Sequence, residues 1–361
     1  MISVYIHIPF CTNICSYCDF SKMYYNKDFV NKYLISLEKE IKKRYNGEIL
    51  KTLYIGGGTP SSLSYEELNH LFNIISIFNL SDDIEFTMEA NVENLTLDKI
   101  KLMTKNKVNR VSLGVQTFNK DNLKYLNRFH TKEDVFKVVK TLKENNITNI
   151  NIDLIYGIDE DIEKVKKDID YALLLDITHI SCYSLILEDN TILKSKHTNY
   201  IDEDKEVEMY NYITKTLEKN NFIHYEISNY AKEGYYSKHN LVYWNNLDYY
   251  GFGLSSVSYI KNVRITNTKN LTKYINDNYI DNKTLESKED KQDNELMLGL
   301  RKLKGINLND FKEKYNEDLE SIYDIKDLLK NNYLVKKDNY LSINKDYIYI
   351  SNEILINIKR K

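Results

Sequence analysis

Six short apolar segments, at residues 4–8, 52–55, 84–88, 110–115, 150–155 and 180–185, are each separated from the next by a longer stretch. In each of those stretches, at 29–45, 64–78, 97–103, 131–144 and 162–175, apolar residues recur at the helical period. Ser64 with Glu67 three residues on predicts a capping box, Thr131 predicts another helix start, and Gly47 predicts the end of the first helix. Neighbouring strands joined through helices need crossover connections, which makes the sheet parallel. Six units are too few to close an eight-unit barrel. The expected fold is therefore α/β, an open, curved (β/α)6 partial TIM barrel, with a flat doubly wound sheet as the alternative.

Beyond residue 220 this rhythm stops. Residues 222–228 read as a strand, 254–265 as an extended run, 290–303 as a helix, and 333–336 with 340–343 as a strand pair. The expected organisation is a core over 1–220, a β extension over 221–289 and a small winged-helix-like domain over 290–361. Winged helices often bind DNA. Here 50 Lys and Arg stand against 53 Asp and Glu, a net charge of −3, which leaves no broad basic surface, so no nucleic-acid partner is expected. No apolar run approaches the roughly 18 residues of a membrane-spanning helix, and no secretory signal is evident. The expected compartment is the cytoplasm, with peripheral membrane contact left open.

In a parallel α/β sheet, ligands gather where strands end and βα loops begin. The distinctive residues fall there. Three of the four cysteines follow the first strand as Cys11-x3-Cys15-x2-Cys18. Three thiolates on one loop are enough for three irons of a cubane and leave the fourth iron open, whereas clusters that only carry electrons are usually closed by four cysteines. A zinc site or redox chemistry remains open on the cysteines alone. Cys182, within an apolar strand, reads as a core residue.

Gly56-Gly57-Gly58-Thr59-Pro60 follows the second strand, and glycines there let backbone N–H groups approach a ligand. Glu89 and Asn91 follow the third strand, Gln116 the fourth, and Asp153 lies near the end of the fifth. A lone carboxylate there is costly without a partner, so Glu89 and Asp153 either pair with Arg110 or Lys99 or bind the hydroxyls of a ribose. Arg128 reads as a carboxylate partner or a surface residue, and Tyr5 as a platform for a base or a plain strand residue.

Together, residues 5–11, 56–60, 89–91, 110–116 and 151–157 resemble the oxygen-independent coproporphyrinogen III oxidase family of radical S-adenosylmethionine (SAM) proteins. That resemblance implies a [4Fe–4S] cluster on Cys11, Cys15 and Cys18, and SAM held by Tyr5, Tyr17, Gly57, Gly58, Thr59, Glu89, Gln116, Arg128 and Asp153. It also implies an electron donor such as a flavodoxin or ferredoxin. The oxidases of this family carry a further cysteine two residues after the third ligand and an N-terminal extension. Here that position is Phe20, and four residues precede Tyr5. Both features, with His239-Asn240-x2-Tyr243-Trp244 and residues 295–301, resemble the heme chaperone branch instead. The implied function is binding heme and delivering it to acceptor hemoproteins. His239 is then the axial heme ligand, set apart from the six units that form the SAM pocket, and Tyr243 and Trp244 are platforms for the macrocycle. Oxidative decarboxylation of coproporphyrinogen III is the alternative, and a non-catalytic, metal-stabilised scaffold is the third reading.

Overall fold

The computed structural model describes residues 2–196 and 199–361. The six expected strands are β1 (Ile2–Ile8), β2 (Ile49–Gly57), β3 (Asn79–Asn91), β4 (Arg110–Gln116), β5 (Asn149–Tyr156) and β6 (His179–Ser184). They pair in chain order, all parallel. The five expected helices are α1 (Lys27–Arg44), α2 (Tyr65–Ile75), α3 (Leu97–Lys105), α4 (Lys132–Glu144) and α5 (Ile162–Leu174), with a short helical turn at Lys120–Tyr125 before α4. Capping boxes open α2, from Ser64 and Glu67, and α4, from Thr131 and Asp134. Gly47 does not end α1. The chain leaves that helix in extended conformation at Tyr45, and Gly47, with φ +86°, turns it toward β2 two residues later.

The strands alternate in a way that decides the architecture. Leu53, Ile55, Phe86, Met88, Val111, Leu113, Ile152 and Ile180 belong to the apolar core, while Tyr54, Glu89, Ser112, Asn151, Asp153 and Ser181 line a cavity of about 420 Å³. A doubly wound sheet covers both faces with helices and needs both apolar. Here one face is polar, and β2 to β6 all contribute to a single cavity. Five successive strands surround one cavity only if the sheet is curved, so the expected partial barrel is the fold.

The sheet is larger than six strands. After α6 (Glu203–Lys219), β7 (Ile223–Glu226) and β8 (Asn229–Ala231) add an antiparallel hairpin beside β6. Next comes α7 (Lys238–Trp244), then β9 (Tyr249–Phe252), which pairs parallel with β1. Thereafter β10 (Val257–Ile260), β11 (Val263–Asn267) and β12 (Ile280–Leu285) continue antiparallel. The run at 254–265 is therefore two strands. Lys261 and Asn262 both take positive φ and form the turn, the backbone a two-residue hairpin loop requires. No glycine announced it, and the apolar alternation runs through it. Likewise 222–228 contains only β7 and the start of the next turn.

Tyr230, Tyr250, Phe252 and Tyr274 join the barrel's own core, so the extension shares the main apolar cluster. A second cluster begins in α8 (Lys288–Gly299) and includes Leu300, Phe311, Leu334, Leu341 and Ile354. Its three-stranded sheet combines β13 (Ile306–Asn307), β14 (Leu334–Lys337) and β15 (Tyr340–Ile343) in the order β13-β15-β14, with short helices between, as in a winged helix. Among the described residues no helix is long and apolar enough to cross a membrane.

Candidate functional site

The cysteine loop is fastened to the barrel rim from outside. Ser16 receives and gives most of the bonds: its N–H donates to the Leu126 carbonyl (3.1 Å), its hydroxyl to the Tyr125 carbonyl (2.7 Å), and its carbonyl accepts from Leu193 (3.0 Å). Asn127 Nδ2 donates to the Ile14 carbonyl (2.8 Å). So anchored, Cys11, Cys15 and Cys18 all line the cavity. Thr59 Oγ1 donates to Cys11 Sγ (3.4 Å), and Arg128 Nη1 approaches Cys15 Sγ (3.7 Å). Burial pushes the Cys11 thiol up to about 11 and raises that of Cys18.

Among the described residues no three His, Cys, Asp or Glu side chains stand close enough to hold a single metal ion. A cubane asks for something else, one thiolate per iron. Three thiols on one cavity wall, with the fourth cysteine buried in β6 on the apolar face, fit that requirement. They do not make a closed four-ligand zinc site.

The glycines after β2 serve close packing. A Cβ on Gly58 would stand 2.7 Å from the Pro9 carbonyl carbon and 3.0 Å from Cys11 Sγ, and one on Gly56 would stand 2.7 Å from the Glu89 carboxylate. The expectation that their N–H groups reach a ligand is corrected. Gly57 N–H donates to Glu89 (3.0 Å), Gly58 to the Ile8 carbonyl (2.8 Å) and Thr59 to the Phe10 carbonyl (2.9 Å). These residues supply room rather than donors.

Glu89 and Asp153 both reach the cavity. Burial pushes the Glu89 carboxyl up to about 7, against the pull of the Tyr54 hydroxyl, which donates to it at 2.8 Å. Burial also raises Asp153, opposed by donors from Asn151 (2.8 Å) and Ser112 (3.2 Å). Neither carboxylate forms an ion pair among the described residues. Lys99 instead bonds the Ser61 and Asn94 carbonyls. Arg110 lines the same cavity at 2% exposure, with its Nε unpartnered. Arg128, 4% exposed, is no surface residue. It bonds the Gly114 carbonyl (2.6 Å), Asn91 (2.8 Å) and Glu93 (3.3 Å), again leaving Nε unpartnered. Buried polar atoms without partners are uncommon in folded proteins, and two guanidiniums facing one cavity mark where a polar ligand belongs.

Gln116 reaches the cavity through a backbone irregularity. The β4–β5 register slips between Gly114 and Gln116, and Gln116 takes φ +69°, the kind of local strain that collects at functional positions. Tyr17 lines the cavity while packing with Leu126, Ile155 and Leu185. Tyr5 does not reach the cavity wall. Its hydroxyl is hydrogen-bonded to His7 Nδ1 (3.0 Å), and its ring lies 6.1 Å from that of Tyr54.

The largest correction concerns His239. Far from standing apart, it is built into the barrel floor. The N–H groups of Lys238 and His239 at the start of α7 donate to the Glu85 carboxylate (both 3.0 Å), a favourable place for an anion. The His239 ring stacks on Tyr54 at 5.1 Å, with Nδ1 bonded to Thr52 Oγ1 (2.7 Å) and Nε2 to the Tyr243 hydroxyl (2.9 Å). It is 1% exposed, and burial lowers its pKa to about 3. Asn240 of the same helix lines the cavity. Trp244 lies under the Arg301 guanidinium (5.9 Å), so the two C-terminal motifs touch.

Tyr54, Arg110, Ser112, Asn151, Ser181 and Tyr183 also line the cavity, and the sequence reading left them out of the site. Their signal was the alternation itself: polar residues at every second position of strands whose other positions are apolar.

Comparison with known proteins places this geometry. Residues 5–172 match the radical SAM superfamily, and residues 287–346 match the HemN C-terminal domain. The chain is 40% identical to the heme chaperone HemW of Lactococcus lactis over 330 residues, covering 89% of this chain and 87% of that one. It is 36% identical to HemW of Bacillus subtilis over 372 residues, 98% of each chain. Among solved structures, the coproporphyrinogen III oxidase HemN of Escherichia coli, a radical SAM enzyme, superposes with a TM-score of 0.85. That match covers 98% of this chain and 89% of that one at 20% identity, which shows a shared fold.

Proposed function

The chain belongs to the heme chaperone HemW family within the radical SAM superfamily, and from that premise we infer that it binds heme and passes it to acceptor hemoproteins. The superfamily implies a [4Fe–4S] cluster and SAM. On this reading Cys11, Cys15 and Cys18 hold the cluster, and the cavity of Thr59, Glu89, Gln116, Arg128 and Asp153 holds SAM. The cluster, when bound and reduced by a donor such as a flavodoxin or ferredoxin, supplies single-electron chemistry. The chain's own groups bind and orient. Glu89 and Asp153 are acceptors for ribose hydroxyls, and Arg128 places a cation next to Cys15 and the cavity. The enclosing barrel excludes water.

The observation that carries the heme reading is α7. His239-Asn240-x2-Tyr243-Trp244 is intact and forms the floor beneath the SAM cavity, while Phe20 stands where the oxidases have a further cysteine. Burial keeps the His239 imidazole neutral, the form that ligates iron. Both ring nitrogens are bonded, so ligation requires release of Thr52 or Tyr243. The test is anaerobic reconstitution, titration with hemin, and mixing of the loaded protein with an apo-hemoprotein. The expected result is hemin binding followed by transfer. Conversion of coproporphyrinogen III with SAM and dithionite, without hemin binding, would replace this reading with the oxidase.

A further inference from the structure

Two crevices of ligand size flank α7 on the far side of the barrel floor, and their charges differ. The first, about 670 Å³, lies between the floor, α7 and the C-terminal domain, and contains Lys51, Lys238, Lys291 and Lys314 against Asp83 and Asp248. The second, about 830 Å³, holds Lys302 and Lys304 against Glu295 and Asp310. Both volumes fall within the roughly 300–1,000 Å³ of small-molecule sites. Only the first carries an excess of cations.

Within that crevice two lysines are already engaged, Lys51 with Asp83 (2.7 Å) and Lys314 with Glu295. Asp248 accepts the Lys261 N–H (3.1 Å). The side-chain ammonium groups of Lys238 and Lys291 have no acidic partner among the described residues. The rest of the wall is largely apolar and aromatic, from Val242, Leu247, Tyr259 and Tyr315. A flat apolar ligand carrying two carboxylates matches such a surface.

The crevice is also one residue away from His239. Thr52, which holds His239 Nδ1, lines it, while Tyr54, whose ring stacks on the imidazole, lines the SAM cavity. The imidazole is thus a partition between the two spaces. We propose that this crevice is the heme-docking site: the macrocycle packs on its apolar wall, its propionates meet Lys238 and Lys291, and the iron faces the partition held by Thr52. This rests on the heme-binding reading above and goes further by giving heme a place, across the floor from SAM rather than in the barrel mouth.

The test titrates hemin, and separately its uncharged dimethyl ester, into anaerobically reconstituted full-length protein. A Lys238→Gln/Lys291→Gln variant removes two charges that pair with nothing in the fold and leaves the Lys238 N–H bond to Glu85 in place. Hemin affinity is expected to fall at least about tenfold, with ester affinity and cluster iron content unchanged. Unchanged hemin affinity in that variant would overturn the assignment, as would equal loss for hemin and ester. Weakening by Lys304→Glu in the second crevice instead would overturn it too. Failure of the unaltered protein to bind hemin at all would remove the heme reading and this site together, an outcome distinct from the others.

Discussion

The rim and the floor of the barrel are both marked by short sequence motifs, and they spend their polar groups in opposite ways. At the rim, three thiols line a cavity, and the neighbouring Arg128, whose Nη1 approaches Cys15, keeps an unpartnered Nε. At the floor, both nitrogens of His239 are bonded, its ring is stacked, and the helix carrying it is clamped on Glu85. The rim is arranged around something other than itself. His239 is fully engaged as it stands, and any ligand for it must displace what it already holds.

That contrast can be broken most sharply at the rim. Replacing Cys11, Cys15 or Cys18 with Ala should abolish cluster assembly, because three ligands leave no redundancy. Iron and sulfide analysis after reconstitution reads this directly, and full iron content in Cys15→Ala would defeat the radical SAM assignment.

At the floor, His239→Ala should cost the cluster-free protein about 2–4 kcal/mol in urea unfolding, since it leaves Thr52 and Tyr243 without partners and opens a cavity. Because Tyr54 bridges His239 to Glu89, SAM affinity should fall as well. A loss no larger than that of Cys15→Ala in the cluster-free state would mean the floor is not locked.

The cavity itself should behave in the reverse sense. Glu89 has a folded pKa of about 7, above its ordinary value of 4.5. Stability linked to this carboxyl is full below pH 4.5 and is lost as pH rises through 7. Glu89→Gln, which stays neutral, should match the unaltered protein near pH 4.5 and exceed it at pH 8 by roughly 2–3 kcal/mol. Thermal melts of cluster-free protein across that range provide the check. Parallel curves would show that Glu89 is not strained by burial.

The smallest effect is expected at Cys182, buried on the apolar face of β6. Cys182→Ala should keep full iron content and lose about 1 kcal/mol of stability. Loss of iron there would show that the fourth cysteine takes part at the rim.

Much of this was legible because it is local. The period of apolar residues gave β1 to β6 and α1 to α5, the capping box at Ser64 and the cap residue Thr131 gave helix starts, and Cys11-x3-Cys15-x2-Cys18 identified the rim without knowledge of any neighbour. Polar residues at strand ends already pointed to Glu89, Gln116 and Asp153. The turn at Lys261 and Asn262 was not legible, because neither residue is a glycine and nothing in the local pattern interrupts the strand.

Sequence therefore determined the units, their parallel order and the three cysteines on one loop, all consequences of spacing along a single segment. Only the tertiary structure decided that α7, which begins more than 180 residues after Thr52, folds back beneath the strands and closes the floor with His239. It also decided that the N–H groups of Gly57, Gly58 and Thr59 are consumed by the protein and that Arg110 faces the cavity. Those outcomes depend on which groups meet across the chain. A hydrogen bond between distant residues leaves no periodicity for either segment to display.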